Sequence, residues 1–210
     1  MNQIQNLKKL SSLSYFTKST LSQFVEVSKN NLYANINRWL KKGEIKQLKK
    51  GLYVTAHYFD RVVDKNSYCE FLANKLREPS YLSLEYVLQK HGILAEAVYG
   101  WTSITLKSKH LYQNDVGNFL YQSVREPLFC GFTIKELGEF SIKEATPAKA
   151  LFDFLYLKLQ RIKKVDSAFL ESLRLNLDEV KRSDWKEFDG YCQLCGVAKF
   201  QKLSRLLKGI

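Results

Sequence analysis

Residues 28–54 read SKNNLYANINRWLKKGEIKQLKKGLYV. Projected at 100° per residue, Leu32, Ile36, Trp39 and Leu40 fall on one side of a helix from Ser28 to Lys42. Asn30, Ala34, Asn37 and Lys41 fall on the other side, flanked by Asn31 and Arg38. Solubility alone would favour Glu and Lys there, since Asn is a weaker helix former. An asparagine amide can instead pair with adenine N6 and N7 in the major groove, which admits an α-helix. Ala34 is small enough for close approach and can touch a thymine methyl, while Arg38 and Lys41 reach guanine or phosphate. Tyr33, at the edge of the apolar side, either donates to a phosphate or packs against the following hairpin.

The helix is bounded by chemistry of its own. Ser28 is placed to cap its start and Gly43 to stop it. EIKQL, a Lys-Lys-Gly turn and LYV then read as a β-hairpin, with Gly51 where a positive φ is needed. Lys46, Lys49 and Lys50 on that hairpin would hold the phosphate backbone or enter the minor groove, adding affinity without sequence information.

Upstream, Ile4, Leu7 and Leu10 share one helical face within residues 3–13. Thr17 suits the cap of a second short helix with Leu21, Phe24 and Val25 inward. Lys18 and Lys29 stand where the second and third helices begin and are candidate phosphate contacts. Three helices followed by a hairpin is the order of a winged helix-turn-helix, expected over residues 1–58.

Downstream, a linker is expected around 57–65, then helices over 66–78 and at SLEYVLQKHG, closed by Gly92. WTSITLKS, NFLYQSV, LFCGFTI and GEFSIK alternate and are separated by turn residues, which predicts a small antiparallel sheet. TPAKALFDFLYLKLQ opens a helix with Thr146 as cap and Pro147 in its first turn, followed by helices near 166–176 and 183–208. The expected fold is α+β, with the winged helix followed over 66–210 by an antiparallel sheet flanked by helices.

Charge divides the chain in the same place. The net charge is +12 over 210 residues, and residues 1–54 hold ten bases against two acids. A quarter of the chain thus carries two thirds of the excess, which points to a polyanion-binding N-terminal module on a near-neutral body. No apolar run approaches a membrane span, and MNQIQNLKKL has no apolar signal core, so a cytoplasmic location is expected. Of Cys69, Cys130, Cys192 and Cys195, only the last two are paired, as CQLC, with His57, His91 and His110 far off in sequence. That is too little for a zinc site, and reduced thiols without metal or cofactor are expected.

Taken in order, the stretch from Lys18 to Val54, PSYLSLEYVLQKHGI, TSITLKSK, GNFLYQSV, PLFCGF and ATPAKALFDFLYL resemble the AbiEi family of type IV toxin–antitoxin systems over most of residues 7–160. The resemblance implies an N-terminal winged helix that represses its own operon at inverted repeats in promoter DNA. It also implies a C-terminal domain that counteracts a nucleotidyltransferase-like toxin, without a stable complex. The family's basic residue beside the wing glycine falls on Lys50 and Gly51. Arginine is common there, so lysine keeps the charge and loses the fork. The family's SLE…HG motif falls on Ser83, Leu84, Glu85, His91 and Gly92. Helix-end electrostatics explain it without catalysis.

An enzyme is not expected. The sequence has no glycine-rich phosphate loop, no Gly-x-Ser-x-Gly and no His-Glu-x-x-His. Glu179-Val-Lys181 resembles part of a metal-dependent nuclease site, but lies in a stretch that reads as loop or helix end. The alternative is a stand-alone winged-helix regulator whose second domain senses a ligand or protein partner, with Tyr99, Trp101, Phe119, Tyr121, Phe129 and Phe132 lining a pocket or forming the core. One recognition helix covers few base pairs, so two copies on an inverted repeat, dimeric at least on DNA, are expected.

Overall fold

The computed structural model describes residues 3–24, 29–160, 162 and 166–207. The fold is α+β and divides into two units, Met1–Cys69 with Tyr112–Asn118, and Glu70–Leu111 with Phe119–Ile210.

The first unit contains α1 (Gln3–Leu10), β1 (Phe16–Thr17), α2 (Lys18–Phe24), α3 (Lys29–Lys41), β2 (Ile45–Lys49), β3 (Leu52–Thr55) and α4 (Ala56–Arg61). β3 pairs antiparallel with β2 on one side and β1 on the other. Leu10, Phe16, Leu21, Leu32, Ile36, Trp39, Ile45 and Tyr53 form one core, with Leu7, Leu13 and Leu40 packed on its edge. Thr17 accepts from the Thr20 amide at 3.1 Å and so starts α2 as its sequence predicts. Gly43 (φ 67°) and Gly51 (φ 85°) occupy the left-handed positions that end α3 and close the β2–β3 turn. The Ser28 cap and the inward Phe24 and Val25 lie outside the described residues and side chains. The expected linker at 57–65 is in part a helix: the Thr55 hydroxyl accepts from the Tyr58 amide at 3.1 Å and starts α4.

α5 (Lys65–Leu76) runs from the first stretch of chain into the second. A six-stranded sheet is formed by β4 (Ser80–Leu82), β5 (Trp101–Thr105), β6 (His110–Asn114), β7 (Gly117–Ser123), β8 (Phe132–Leu137) and β9 (Phe140–Ala145), all within the second unit except Tyr112–Asn118 around the β6–β7 turn. Its order is β6-β7-β5-β4-β9-β8. The sheet is mixed, which corrects the antiparallel expectation. β4 with β9 and β5 with β7 run parallel, while β4 with β5 and β8 with β9 run antiparallel. The parallel pairs sit at the centre, where β4 and most of β5 are buried. Burial on both faces goes with parallel pairing, and β4 and β5 show it, β5 where its sequence suggests alternation.

Helices α6 (Leu84–Lys90), α7 (Pro147–Leu159), α8 (Ser167–Ser172), α9 (Arg182–Cys195) and α10 (Ala198–Leu207) complete the unit. Thr146 caps α7 by accepting from the Lys149 amide at 3.1 Å. The single helix expected over 183–208 is two, broken at Gly196 (φ 69°). Phe119 and Tyr121 are fully buried, Trp101 stacks on Phe119, and Phe129 and Phe132 pack on Tyr81. Phe119 and Tyr121 are core, Trp101, Phe129 and Phe132 are half-buried against it, and Tyr99 is 89% exposed.

Candidate functional site

α3 lies on the first unit's core through Leu32, Ile36 and Trp39, the last two each 2% exposed. That anchoring turns Asn31, Ala34, Asn37, Arg38 and Lys41 outward as one exposed face. α3 carries no acid in its first turn, and Arg38 and Lys41 lie in its last. The side chains of Lys29 and Asn30 lie outside the described residues.

Two features of this face were not legible in the sequence. Asn35, 7% exposed, accepts a hydrogen bond from the Arg38 guanidinium one turn on. Asn35 is thus a positioning residue that aims Arg38 along the helix. Tyr33 is 52% exposed, and the Lys18 ammonium lies 3.8 Å from its ring centre. This settles Tyr33 as a surface group with a cation on its face. The spacing within α3 cannot show it, because the partner comes from the start of α2.

On the hairpin, Lys50 is exposed at the turn, while Lys46 and Lys49 are half-buried. The Lys46 ammonium lies 5.3 Å from the Phe59 ring. The β2–β3 register shifts between Gln47 and Lys49, an irregularity that increases local twist and re-aims the last lysines. The Leu48 carbonyl accepts from Asn114 Nδ2 at 2.8 Å. Lys18 is half-buried at the start of α2.

The second unit holds two groups of charges partly or wholly inside. Lys149 and Asp153, both with fully buried side chains one turn apart on α7, form an ion pair. Asp153 also accepts from the Tyr81 hydroxyl at 3.0 Å and from Ser83 at 2.8 Å. Burial pushes the Asp153 carboxyl up, against the opposing pull of Lys149 and the two hydroxyls. Burial, with the Asp153 charge beside it, also raises the Tyr81 phenol. Ser83, which stands at the N-cap of α6, therefore makes no side-chain cap bond. A buried carboxylate needs the hydroxyl more than a helix end does. At Gly131 a Cβ would collide with the Tyr191 hydroxyl, itself bonded to Glu187 at 2.5 Å.

A second network joins Lys90 to Glu70 and Glu144, each at 2.7 Å, and Lys135 to Glu144 at 2.5 Å. Burial acts to raise the Glu144 carboxyl, but hydrogen bonds from Lys135 and Lys90, with their charges, leave it below its ordinary value. Burial likewise acts to lower Lys90, and its bonds to Glu144 and Glu70 outweigh that and raise it. His91 ends α6 with its imidazole lowered, chiefly by burial. Glu179 and Lys181 fall at a short 3-10 turn and at the start of α9, away from any strand. The four cysteines are free thiols, and no group of three or more His, Cys, Asp or Glu side chains among the described residues is placed to hold a metal. Among the described residues no helix is long and apolar enough to cross a membrane.

No protein-family model matches the chain, and no curated protein matches it.

Proposed function

We propose that this chain is a sequence-specific DNA-binding repressor that acts as the antitoxin of a type IV toxin–antitoxin system. In this reading the first unit is a winged helix-turn-helix that binds inverted repeats in its own promoter as two copies. The second unit counteracts a nucleotidyltransferase-like toxin without a stable complex, and the chain itself is not an enzyme.

The observation that carries the DNA-binding part is the face of α3. Leu32, Ile36 and Trp39 hold the helix by one side, and Asn31, Ala34, Asn37, Arg38 and Lys41 stand together on the other. Asn37 and Asn31, with Asn30 of the same sequence face, supply bidentate amides, and Ala34 between them permits close approach. Lys46, Lys49 and Lys50 follow on an antiparallel hairpin whose turn is closed by Gly51. They supply phosphate contacts beside the reading face, with Lys18 and Lys29 at the helix starts. The antitoxin part rests on the ordered likeness of residues 7–160 to the AbiEi family.

Fluorescence anisotropy on the chain's own upstream promoter, against a shuffled duplex and across a salt series, tests the first part. Tight, promoter-selective binding with a steep salt slope is the expected result. If about six phosphates are neutralised, log Kd should rise with log salt at a slope of about 5. Equal, weak binding to both duplexes would remove the repressor. A neighbouring reading frame for a nucleotidyltransferase-like protein, whose toxicity co-expression of this chain relieves, tests the antitoxin part.

A further inference from the structure

The second unit carries an open cleft of about 470 Å³, with Lys109 and Lys158 exposed at its rim, that the reading above leaves unused. Its volume lies within the roughly 300–1,000 Å³ of small-molecule sites. Leu120 of β7 with Phe154 and Leu157 of α7 form an apolar wall. Lys109, just before β6, and Lys158 of α7 bring two cations to it, and Gln122 of β7 brings an amide. Among the described residues, Glu85 is the one acid in the lining.

The wall beside it is held rigidly. Leu84, 2% exposed and part of the lining, has φ 63°, a left-handed conformation that a branched L side chain takes only when its surroundings impose it. Here they do. The Ser83 amide donates to the Thr102 carbonyl at 3.0 Å, and the Thr102 hydroxyl returns a bond to the Ser83 carbonyl at 2.6 Å. The Ser83 hydroxyl is fixed on Asp153. With Ser83 before it held by three hydrogen bonds, the buried and strained Leu84 gives the cleft a preformed side.

The lining selects a chemistry. Two ammonium groups against one carboxylate call for an anion. The Gln122 amide offers a donor and an acceptor together, the complement of a heterocycle edge. Leu120, Leu157 and the Phe154 ring offer a flat apolar face. A fatty acid would need apolar walls throughout, and an inorganic anion would leave the apolar wall uncovered. We propose that this cleft binds a nucleoside phosphate, and that the occupied site alters DNA binding through the β6–β7 hairpin.

The second half rests on the DNA-binding reading, and the covalent path supports it. Lys109 leads into β6, and Leu120 and Gln122 lie on β7, so both strands border the cleft at one end. At the other end their turn belongs to the first unit, where Asn114 Nδ2 donates to the Leu48 carbonyl of β2. The Asn114 carboxamide oxygen also accepts from the Val116 and Gly117 amides at 2.8 and 3.2 Å, which makes the turn stiff. β2 carries Lys46 and Lys49. A shift of the hairpin at the cleft is therefore delivered to the strand that presents the phosphate-binding lysines.

Isothermal titration of the full chain with ATP and GTP, with inorganic phosphate and a long-chain fatty acid as comparators, tests the site. One nucleotide per chain is expected, with no heat from either comparator. Leu120→Trp should abolish binding by filling the cleft, and Lys158→Gln, which removes an exposed ammonium 5.0 Å from the Phe154 ring centre, should weaken it about tenfold. Promoter anisotropy with and without the nucleotide should then differ at least about fivefold in Kd. Asn114→Ala should keep nucleotide affinity and lose that difference. Absence of nucleotide binding, or binding indifferent to both Leu120→Trp and Lys158→Gln, overturns the site. Binding of the fatty acid alone overturns the ligand class. An unchanged Kd for DNA, or a shift that survives Asn114→Ala, overturns the hairpin route. A chain that binds nucleotide normally but no promoter DNA fails the repressor reading and leaves the nucleotide site standing.

Discussion

α3 and α7 are both 13 residues long and use charge in opposite ways. α3 buries a narrow stripe led by Ile36 and Trp39 and turns Asn37, Arg38 and Lys41 to solvent. α7 is buried along almost its whole length, Lys149 and Asp153 included. A cation kept in water is cheap to hold and remains available to a polyanion. A cation taken into the interior costs desolvation that only a partner can offset, so it is committed to architecture. Lys41 and Lys149 are therefore one residue type with two physical roles. Burial separates them and net charge does not.

The largest effect should come from breaking the buried arrangement. Asp153→Ala strands Lys149 without a carboxylate and leaves the Tyr81 and Ser83 hydroxyls without their acceptor. Urea denaturation should show a loss of about 3–5 kcal/mol. Replacing both partners, Lys149→Met with Asp153→Leu, should recover most of it, because no charge remains to be desolvated. If the double variant is as unstable as the single one, packing and not charge accounts for the loss.

The Lys90–Glu144–Lys135 network gives the same principle a pH signature. Its carboxyl is lower in the folded chain than in the unfolded one. Its contribution is therefore complete above the ordinary carboxyl range and lost as pH falls through the depressed folded value. Lys90 is raised on folding, so its contribution is complete below the ordinary lysine value and lost as pH rises through the higher folded one. Urea midpoints against pH should fall at both ends, and Glu144→Gln should flatten the acid arm. An acid arm unchanged in that variant would place the acid sensitivity elsewhere.

On the exposed side, Asn37→Ala should cost about 1–3 kcal/mol on promoter DNA and little on a shuffled duplex. Equal losses on both would take Asn37 out of the reading set. Asn35→Ala is the sharper variant, since Asn35 lies buried beneath the face. It should act by releasing the Arg38 guanidinium and so mimic a weakened Arg38→Ala in promoter selectivity.

How much of this was legible in the sequence follows the range of the interactions. The α3 stripe, the Gly43 stop, the Thr146 cap and the Gly51 turn depend on residues within a turn or two, and the pattern shows them directly. The mixed sheet depends on which strand lies beside which across more than 60 residues, as when Leu82 meets Glu144. No local pattern encodes that. Ser83 shows the same boundary in one side chain. Its position before a helix reads as a cap, but Asp153, 70 residues on, claims the hydroxyl. In the candidate interface, the exposed face of α3 was legible and the Lys18–Tyr33 and Asn35–Arg38 pairings were not. One needs the crossing of two helices, and the other needs to know that Asn35 is covered.

The smallest predicted effect is the most diagnostic of the outward-facing charge. Lys50 stands exposed at the hairpin turn beside Gly51, so its ammonium stays hydrated in the free chain. A phosphate contact there would gain mainly from released counterions, with little directional bonding. Lys50→Ala should accordingly weaken promoter and shuffled DNA alike and reduce the salt slope by about 1. Chain stability should stay within about 0.5 kcal/mol of the parent, as for other surface substitutions. Lys46, half-buried beside the Phe59 ring, makes the control within the same hairpin. Lys46→Ala removes stem packing as well as charge and should lower stability together with DNA affinity. If the two variants behave identically in both measurements, burial does not separate the roles of the hairpin lysines.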